Sequence, residues 1–593
     1  VNVPSCGIRL VIGTLVCWST LTGCASLPDS STPEAIGTIE REPPSRTIVQ
    51  PIPGREPDLL LRDFFAAVGD PANRHLGGRQ YLTAEATAKW DDSAGTVIVD
   101  RIDVLPTDPR TDDRIGFLIR GTRVGQLQAG GIYLSEEGSY ESKFVLRREN
   151  DQWRIDQLPD GVVLDSERFR ESYKSRSIYF VDPSDTTTVA DPRWVSVGRD
   201  QLATQLIGLL IDGPKAALAP AVHNMLDGPV SVRGPITKAD GRTSSVGIGL
   251  GGIRIDFGGI AELDHRRRDL LAAQVVWTLA NADVSGPYVL LADGKPLDDQ
   301  HADSWTTADV AAMNPQGVAA GAAQLHALRG GALVSVVDDV PTPIPGVFGS
   351  ARNLRSVAVS RDTSLIAAVA DTGLPAPEPA DTLLVGSYDG QPFPVAQGAT
   401  ITRPTWAPDN GSAWAVVDGT RVIRAVRDMS TGQVSVAETD TTALIPLGRQ
   451  ITELRLSRDG VRAALIIDGK AYVAVVVRSP DGGYSVTSPR PIAVGLGAAV
   501  TALDWSSGES VVLAQSASEN PVTTVPVDGS RRDPLPGQNL TPPVGTVSAV
   551  PGTIYVADSR AVFRLDTGEP ERDRFWREVR GLTGGQAVPV LPG

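Results

Sequence analysis

The chain has 593 residues, enough for three or four domains of ordinary size, each burying its own core. Its formal net charge of -15 argues against nucleic-acid binding, which needs a basic face to release counterions. Apolar residues at 41% and charged residues at 21% fit a folded protein, and Gly 60 with Pro 45 points to many short strands joined by turns.

The first 23 residues read as an export signal. Arg9 precedes an apolar run over residues 10–18, too short to span a bilayer but the right length for the core of a signal peptide. Val1 fits translation from a GTG codon. All three cysteines, Cys6, Cys17 and Cys24, fall in this region, and the run closes on Leu21-Thr22-Gly23-Cys24. That ending resembles the bacterial lipobox. It implies a diacylglycerol thioether on Cys24, cleavage between Gly23 and Cys24, and acylation (palmitate-type) of the new amine. Two or three acyl chains anchor a protein to the membrane where one does not. Cys24 would then be the one thiol of the mature chain, kept as an attachment point.

Residues 24–57 are rich in Ser, Thr and Pro and cannot bury a core, so they read as a flexible tether. The pattern then changes. Leu60, Phe64 and Val68 recur every fourth residue, marking an amphipathic helix that Pro71 should end. Strand-like runs follow at 96–99, 115–120, 131–134 and 143–147, the last facing 153–156 across the turn Glu149-Asn150-Asp151-Gln152. Helices followed by a curved antiparallel sheet, over 58–165, resemble the NTF2-like fold. Enzymes of that fold line their cone with ionisable groups. The one histidine here, His75, falls in an expected loop, which favours a binding or structural role.

A third region spans 170–305. "SIYFVD" alternates as a strand does, and "RDQLATQLIGLLIDGP" reads as a helix with Asp200 at its N-cap and Gly213-Pro214 at its end. A second helix, "HRRRDLLAAQVVWTLANA", carries Leu271, Val275 and Leu279 on one stripe, and "PYVLLADGKPL" is a strand closed by an Asp293-Gly294 turn. This order resembles the GerMN domain of bacterial envelope and sporulation proteins.

From 315 to 593 the chain repeats. Anchors Val359, Trp406, Leu456, Trp505 and Val550 recur at spacings of 47, 50, 49 and 45 residues, each before a turn (Asp362, Asp409, Asp459 and Gly508 in the first four) and a more apolar strand. Paired strands at this period mark β-propeller blades, which bury their faces only by stacking. The length allows five or six blades, with the early strand 332–337 completing the final one. The fold class is therefore multidomain and mainly β: two small α+β domains, then a propeller.

Residues with recognisable chemistry are few. Gly247-Ile248-Gly249-Leu250-Gly251-Gly252 satisfies G-x-G-x-x-G, but the alternating "IRIDF" after it is a strand where a phosphate-binding helix is required. There is no G-x-x-x-x-G-K-[ST] and no G-x-S-x-G. The histidines His75, His223, His265, His301 and His326 are scattered without paired zinc spacing. The arginines after His265 read as a solvated helix face. No catalytic, cofactor-binding or metal residue is assigned, and no cofactor is expected.

Lipobox, tether, NTF2-like domain, GerMN domain and propeller, in that order, resemble the actinobacterial lipoprotein LpqB family over nearly the whole chain. The resemblance implies a protein lipid-anchored through Cys24 to the extracytoplasmic face of the cell membrane. It also implies a regulatory association with the extracytoplasmic domain of a sensor kinase of the MtrAB two-component type, in cell-wall and division control. The expectation is a non-enzymatic regulator or scaffold. The alternatives are an envelope enzyme acting on wall glycan or peptide, and a wall-glycan-binding module.

Overall fold

The computed structural model describes residues 50–593 apart from 108–109, 317–323, 429–430 and 585–586. Helix α1 (Pro57–Ala67) buries Leu60, Leu61, Phe64 and Phe65, and its cap residue Val68 completes the four-residue stripe. The helix thus stops three residues ahead of Pro71. Its apolar face packs on a five-stranded sheet, with Phe144 of that sheet 6.1 and 5.6 Å from the rings of Phe64 and Phe65. The strands are β1 (Thr96–Thr107), β2 (Arg114–Gln128), β3 (Ile132–Glu149), β4 (Gln152–Gln157) and β5 (Val162–Asp165), in the order β4-β3-β2-β1-β5.

Two expectations change here. The runs 131–134 and 143–147 belong to one long strand, β3, paired with β2 from Arg114↔Arg147 to Gln128↔Ile132. The sheet is also not wholly antiparallel, because β5 returns to lie parallel to β1. The β3–β4 turn is as expected: Asn150 and Asp151 adopt φ of 50° and 59°, the left-handed pair that a tight hairpin needs. His75 lies in a turn, Asn73 to His75, whose φ of 49°, 58° and 54° is left-handed and not α-helical, and the side chain is buried with Nδ1 2.7 Å from the Val68 carbonyl.

The second domain begins with a hairpin, β6 (Lys174–Val181) and β7 (Thr188–Val195). Helix α2 (Arg199–Asp212) follows. Its N-cap is Gly198, and Asp200 lies inside the first turn. There its charge faces the positive end of the helix dipole, which is what an acidic residue at the start of a helix does when it is not the cap. Gly213, at φ 89°, ends the helix as expected. Strands β8 (Ser231–Val232), β9 (Ile253–Gly258), β10 (Tyr288–Ala292) and β11 (Lys295–Pro296) form a sheet in the order β11-β10-β9-β8, with β9 and β10 parallel. Between β9 and β10 runs helix α3 (His265–Ala280), capped by Asp264, whose carboxylate accepts from the Arg267 amide. Leu271, Val275 and Leu279 are fully buried on its inner face.

Among the described residues six four-stranded sheets follow, each a blade. Blades 2 to 6 begin with inner strands Leu354–Val359, Thr405–Trp406, Ile451–Leu456, Val500–Ser507 and Thr546–Val550 and run outward in chain order. Blade 1 differs. Its outer strands are His326–Arg329, Ala332–Val337 and Val340–Pro343, and its inner strand is Ala587–Val590 from the far end of the chain. Residues 332–337 therefore stand one strand away from the closing pair, which is made by 326–329.

The periodic anchors have a physical reason. Each ends or flanks an inner strand, and Trp406 and Trp505 donate their indole N–H to Ala358 and Arg455 carbonyls in the preceding blade, at 3.2 and 2.9 Å. The turn aspartates close the same blades: Asp459 accepts from the Ser457 hydroxyl and the Val461 amide, and Asp362 from Ser360 and Ser364. Apolar clusters lie between neighbouring blades, such as Leu454 and Leu465 with Trp414 and Val416, so a blade alone has nothing to bury against.

Candidate functional site

Cys24 and Gly23, the residues that the sequence singles out, lie outside the described residues. What the structure offers is two concentrations of buried charge.

The first fills the propeller centre. Inner strands alternate in and out, so every second residue faces the axis. Glu453 and Arg455 occupy alternate positions of one inner strand and Asp504 lies on the next, while Arg403 stands two residues ahead of the inner strand Thr405–Trp406. Arg403 reaches Glu453 at 2.7 Å and donates to the carbonyls of Val547 and Leu503. Arg455 reaches Asp504 at 3.3 Å and donates to the Pro404 carbonyl, while the second Asp504 oxygen accepts from the Ala549 amide. Burial lowers the Arg455 pKa and the neighbouring Arg403 charge lowers it further. At Arg403 burial also pulls downward, but Glu453 and Asp504 outweigh it. Four blades are laced together by a network in which each carboxylate already has a cation.

The second concentration lies where the three domains meet. Asp191 on β7 is completely buried between Arg193, at 2.7 Å, and the Lys215 ammonium, at 3.2 Å. Burial alone would raise the Asp191 pKa, but those two cations hold it below the ordinary carboxylate value. Arg193 continues outward, donating to the Gly130 carbonyl of the first domain and to the Gly213 carbonyl at the end of α2. Trp194, next on β7, packs 4.5 Å from Phe169 in the core of the first domain and donates its indole N–H to Asp528 of the propeller. Gly131 makes this approach possible: a Cβ there would sit 2.4 Å from the Trp194 carbonyl.

On the other edge of the hairpin, Glu509 of blade 5 accepts hydrogen bonds from Ser177 and from Tyr179, both at 2.7 Å. Burial, with the adjacent Glu509 carboxylate, pushes the Tyr179 phenol far above its ordinary pKa, so it remains a donor. Arg462 of blade 4 donates to the Ala190 carbonyl at 2.5 Å, and Ser135 of β3 to the Pro491 carbonyl at 2.6 Å. A polar cleft of about 260 Å³ beside Tyr179, Ser507 and Glu509 is the opening between the second domain and the propeller.

The sequence reading missed both concentrations. A signal for the first was present, since "ITELRLSRDG" and "VTALDWSSGE" set Glu453, Arg455 and Asp504 inside otherwise apolar inner strands. The second had none, because its partners are separated by as many as 356 positions along the chain.

The remaining expected features fall apart in space. Gly247 to Gly252 lead into strand β9 and not into a helix. His265 pairs with Asp298 at 2.8 Å, His301 stacks on Trp305, His223 meets Asp185, and His326 meets Tyr388. Among the described residues no group of three His, Cys, Asp or Glu side chains is placed to hold a metal ion, and no helix is long and apolar enough to cross a membrane.

Comparison with known proteins agrees with this architecture. Residues 50–170 match the family described as "Lipoprotein LpqB, N-terminal domain", 177–298 match "Sporulation and spore germination", and 331–592 match "Lipoprotein LpqB beta-propeller domain". The chain is 58% identical to lipoprotein LpqB of Rhodococcus jostii over 99% of this chain and 98% of that protein. It is 52% identical to the Nocardia farcinica protein, over 97% and 96%, and 42% identical to that of Mycobacterium tuberculosis, over 99% of each. On this evidence the chain belongs to the lipoprotein LpqB family.

Proposed function

We propose that this protein is a membrane-anchored, extracytoplasmic regulator or scaffold that works by contact and not by catalysis. Its partner in this reading is the extracytoplasmic domain of a sensor histidine kinase of the MtrAB type. One observation carries the reading. The buried and half-buried acidic groups in the two places where chemistry would sit are engaged in holding the structure: Asp504 and the half-buried Glu453 in the propeller centre, Asp191 and the half-buried Glu509 and Asp528 at the junction. A carboxylate clasped in this way is a poor general base or nucleophile. The same contacts join three domains stiffly, and a stiff body with broad propeller rims suits protein binding.

The lipoprotein relatives support an anchor at Cys24. Confining both partners to one membrane raises their effective concentration, so a modest intrinsic affinity suffices. The test compares the native protein with a Cys24→Ala variant and with a soluble form lacking residues 1–24. Both altered forms should bind the kinase domain in solution yet signal poorly at native expression levels. Full signalling by the soluble form defeats the anchoring argument. Steady cleavage of wall glycan or peptide by the purified protein replaces the contact reading with an enzymatic one.

A further inference from the structure

Gly247 to Gly252 do not cradle a nucleotide, yet their four glycines serve a defined shape. Gly247, Gly249, Gly251 and Gly252 take φ of 73°, 65°, 124° and 63°, values that other residues rarely adopt. The run is pinned at both ends. Val246 is buried in the core of the second domain. A Cβ on Gly252 would stand 2.2 Å from the Pro287 carbonyl, just before β10, so the two backbones lie in contact there. Beside that contact the Gly251 carbonyl accepts from the Ala239 amide at 3.2 Å. Leu250 is left at the tip, 89% exposed, the most exposed large apolar side chain among the described residues. Ile248, two positions before it, is half-buried. A lone surface leucine is ordinary. One held out on a pinned loop of four glycines is a built projection.

Positive charge gathers beside it. Lys238 packs along the loop, its ammonium 3.5 Å from the Ile248 carbonyl and 3.8 Å from where a Gly251 Cβ would lie. The Lys238 amide donates to the Arg242 carbonyl, closing the neighbouring turn. Arg254 is exposed on β9, the strand into which the loop leads. Lys238 and Arg254 make no ion pair among the described residues. Arg242 pairs with Asp240 at 2.7 Å, an exposed contact of the kind that contributes little. Residues 234–254 thus carry three cations and one carboxylate in a chain whose formal net charge is -15. An apolar tip with cations at its base suits the interface of an anionic bilayer.

Such a surface is within reach. Residues 24–50 extend by at most about 3.6 Å each, on the order of 90 Å in all. A body attached through Cys24 therefore stays beside one bilayer, and some part of its surface must meet the lipid.

We propose that the loop 238–252 is a membrane-contacting foot: Leu250 enters the headgroup layer of an anionic bilayer while Lys238, Arg242 and Arg254 meet its phosphates. The choice of a lipid surface rests on the anchoring at Cys24 proposed above. One leucine and three cations bind weakly alone, but here they act on a body already confined to the membrane. The consequence is orientation. A tethered body free to rotate becomes one that meets the membrane with the same side each time.

Vesicle binding by residues 25–593, which keep every described residue, tests the foot apart from the lipid anchor. The vesicles are phosphatidylglycerol and phosphatidylcholine in equal parts, or phosphatidylcholine alone. No cysteine follows Cys24, so Leu250→Cys provides a single thiol for an NBD label. Its emission should rise and shift to the blue with anionic vesicles, and far less with neutral ones. The same label on Ile445→Cys, an exposed site in the propeller region, should not respond. In unlabelled protein Leu250→Asp should weaken co-sedimentation with anionic vesicles about tenfold or more, as loss of a buried leucine does. Lys238→Gln combined with Arg254→Gln should weaken it several-fold, and circular dichroism establishes that each variant folds. No response at position 250, an equal response at 445, or unaltered sedimentation of Leu250→Asp overturns the proposal. So does a Leu250→Asp variant that loses capture of the kinase domain while keeping its lipid binding, which assigns the tip to a protein partner. Mass spectrometry of the native chain reports lipidation of Cys24 separately, so a failed anchor and a failed foot give different results.

Discussion

The propeller centre and the three-domain junction are both built on buried charge, yet they arise from opposite kinds of sequence. In the centre, Arg403, Glu453, Arg455 and Asp504 come from successive copies of one repeated unit. At the junction, Glu509 meets Tyr179 across 330 positions and Asp528 meets Trp194 across 334, with no repeat to place them. Repetition makes a network that tightens as a ring. Its absence makes a set of separate clasps, each able to fail alone. If that contrast is right, damage to the ring should spread and damage to the junction should stay local.

The sharpest way to break the contrast is to remove residues 587–593. This takes away the inner strand of blade 1 and exposes the faces of blades 2 and 6 to water. The expected outcome is loss of cooperative unfolding for the whole propeller, seen as rapid digestion throughout residues 354–583. A propeller that keeps its protease resistance contradicts the ring argument.

Asp504→Ala should come next in size. It strands the Arg455 guanidinium in the propeller centre, and breaking a buried pair from one side costs about 3–5 kcal/mol. Denaturant unfolding should show that loss, with hydrogen exchange raised in blades 3 to 6 together. Exchange confined to blade 5 would make the centre no more cooperative than the junction.

Glu509→Ala is the matching cut at the junction. It leaves the Tyr179 and Ser177 hydroxyls without their acceptor, a loss of about 1–3 kcal/mol. Exchange should quicken in β6 and around residues 507–510 while blades 1 to 3 keep their protection. Loss of protection across the propeller would show that the two regions are coupled.

These variants also mark how far the sequence could be read. The repeat was legible because Trp406 and Trp505 perform one task in each copy, reaching back to the previous blade, and a task done repeatedly leaves a period. Helices α1 and α3 were legible because a buried stripe needs apolar residues every three or four positions. The lipobox was legible as a motif, although Cys24 is outside the described residues. The parallel return of β5 and the strand that closes the ring were not, since the choice of partner between distant strands leaves no local trace. Asp200 misled because the residue that favours a cap also favours the first turn, and only the backbone tells them apart.

The smallest expected effect is a dependence on pH. Burial lowers the pKa of His326, in blade 1, below its ordinary value, and its ring lies between the Gln324 carbonyl and the Tyr388 hydroxyl. The folded chain therefore keeps this ring neutral while the unfolded chain takes up a proton below about pH 6.5. Stability should fall as the pH drops from 6.5 toward the folded value, with no contribution from this group above it. His326→Gln should flatten that slope and leave stability at pH 8 little changed. His75, buried in the first domain and shifted in the same direction, remains as the local counterpart. An unaltered slope would assign the acid sensitivity to that domain instead.

The pairing of His326–Arg329 with Ala587–Val590 also imposes an order in time. A ribosome adding roughly 5–20 residues each second needs on the order of 13–50 s to travel from one strand to the other. Throughout that interval the nascent chain presents an unfinished sheet edge, one able to pair with a neighbour's strand, and each added blade enlarges the open arc without sealing it. Residues 587–593 thus act as a latch on the finished propeller: a chain that has not yet reached them remains open, and quality-control proteases have a clear distinction to read.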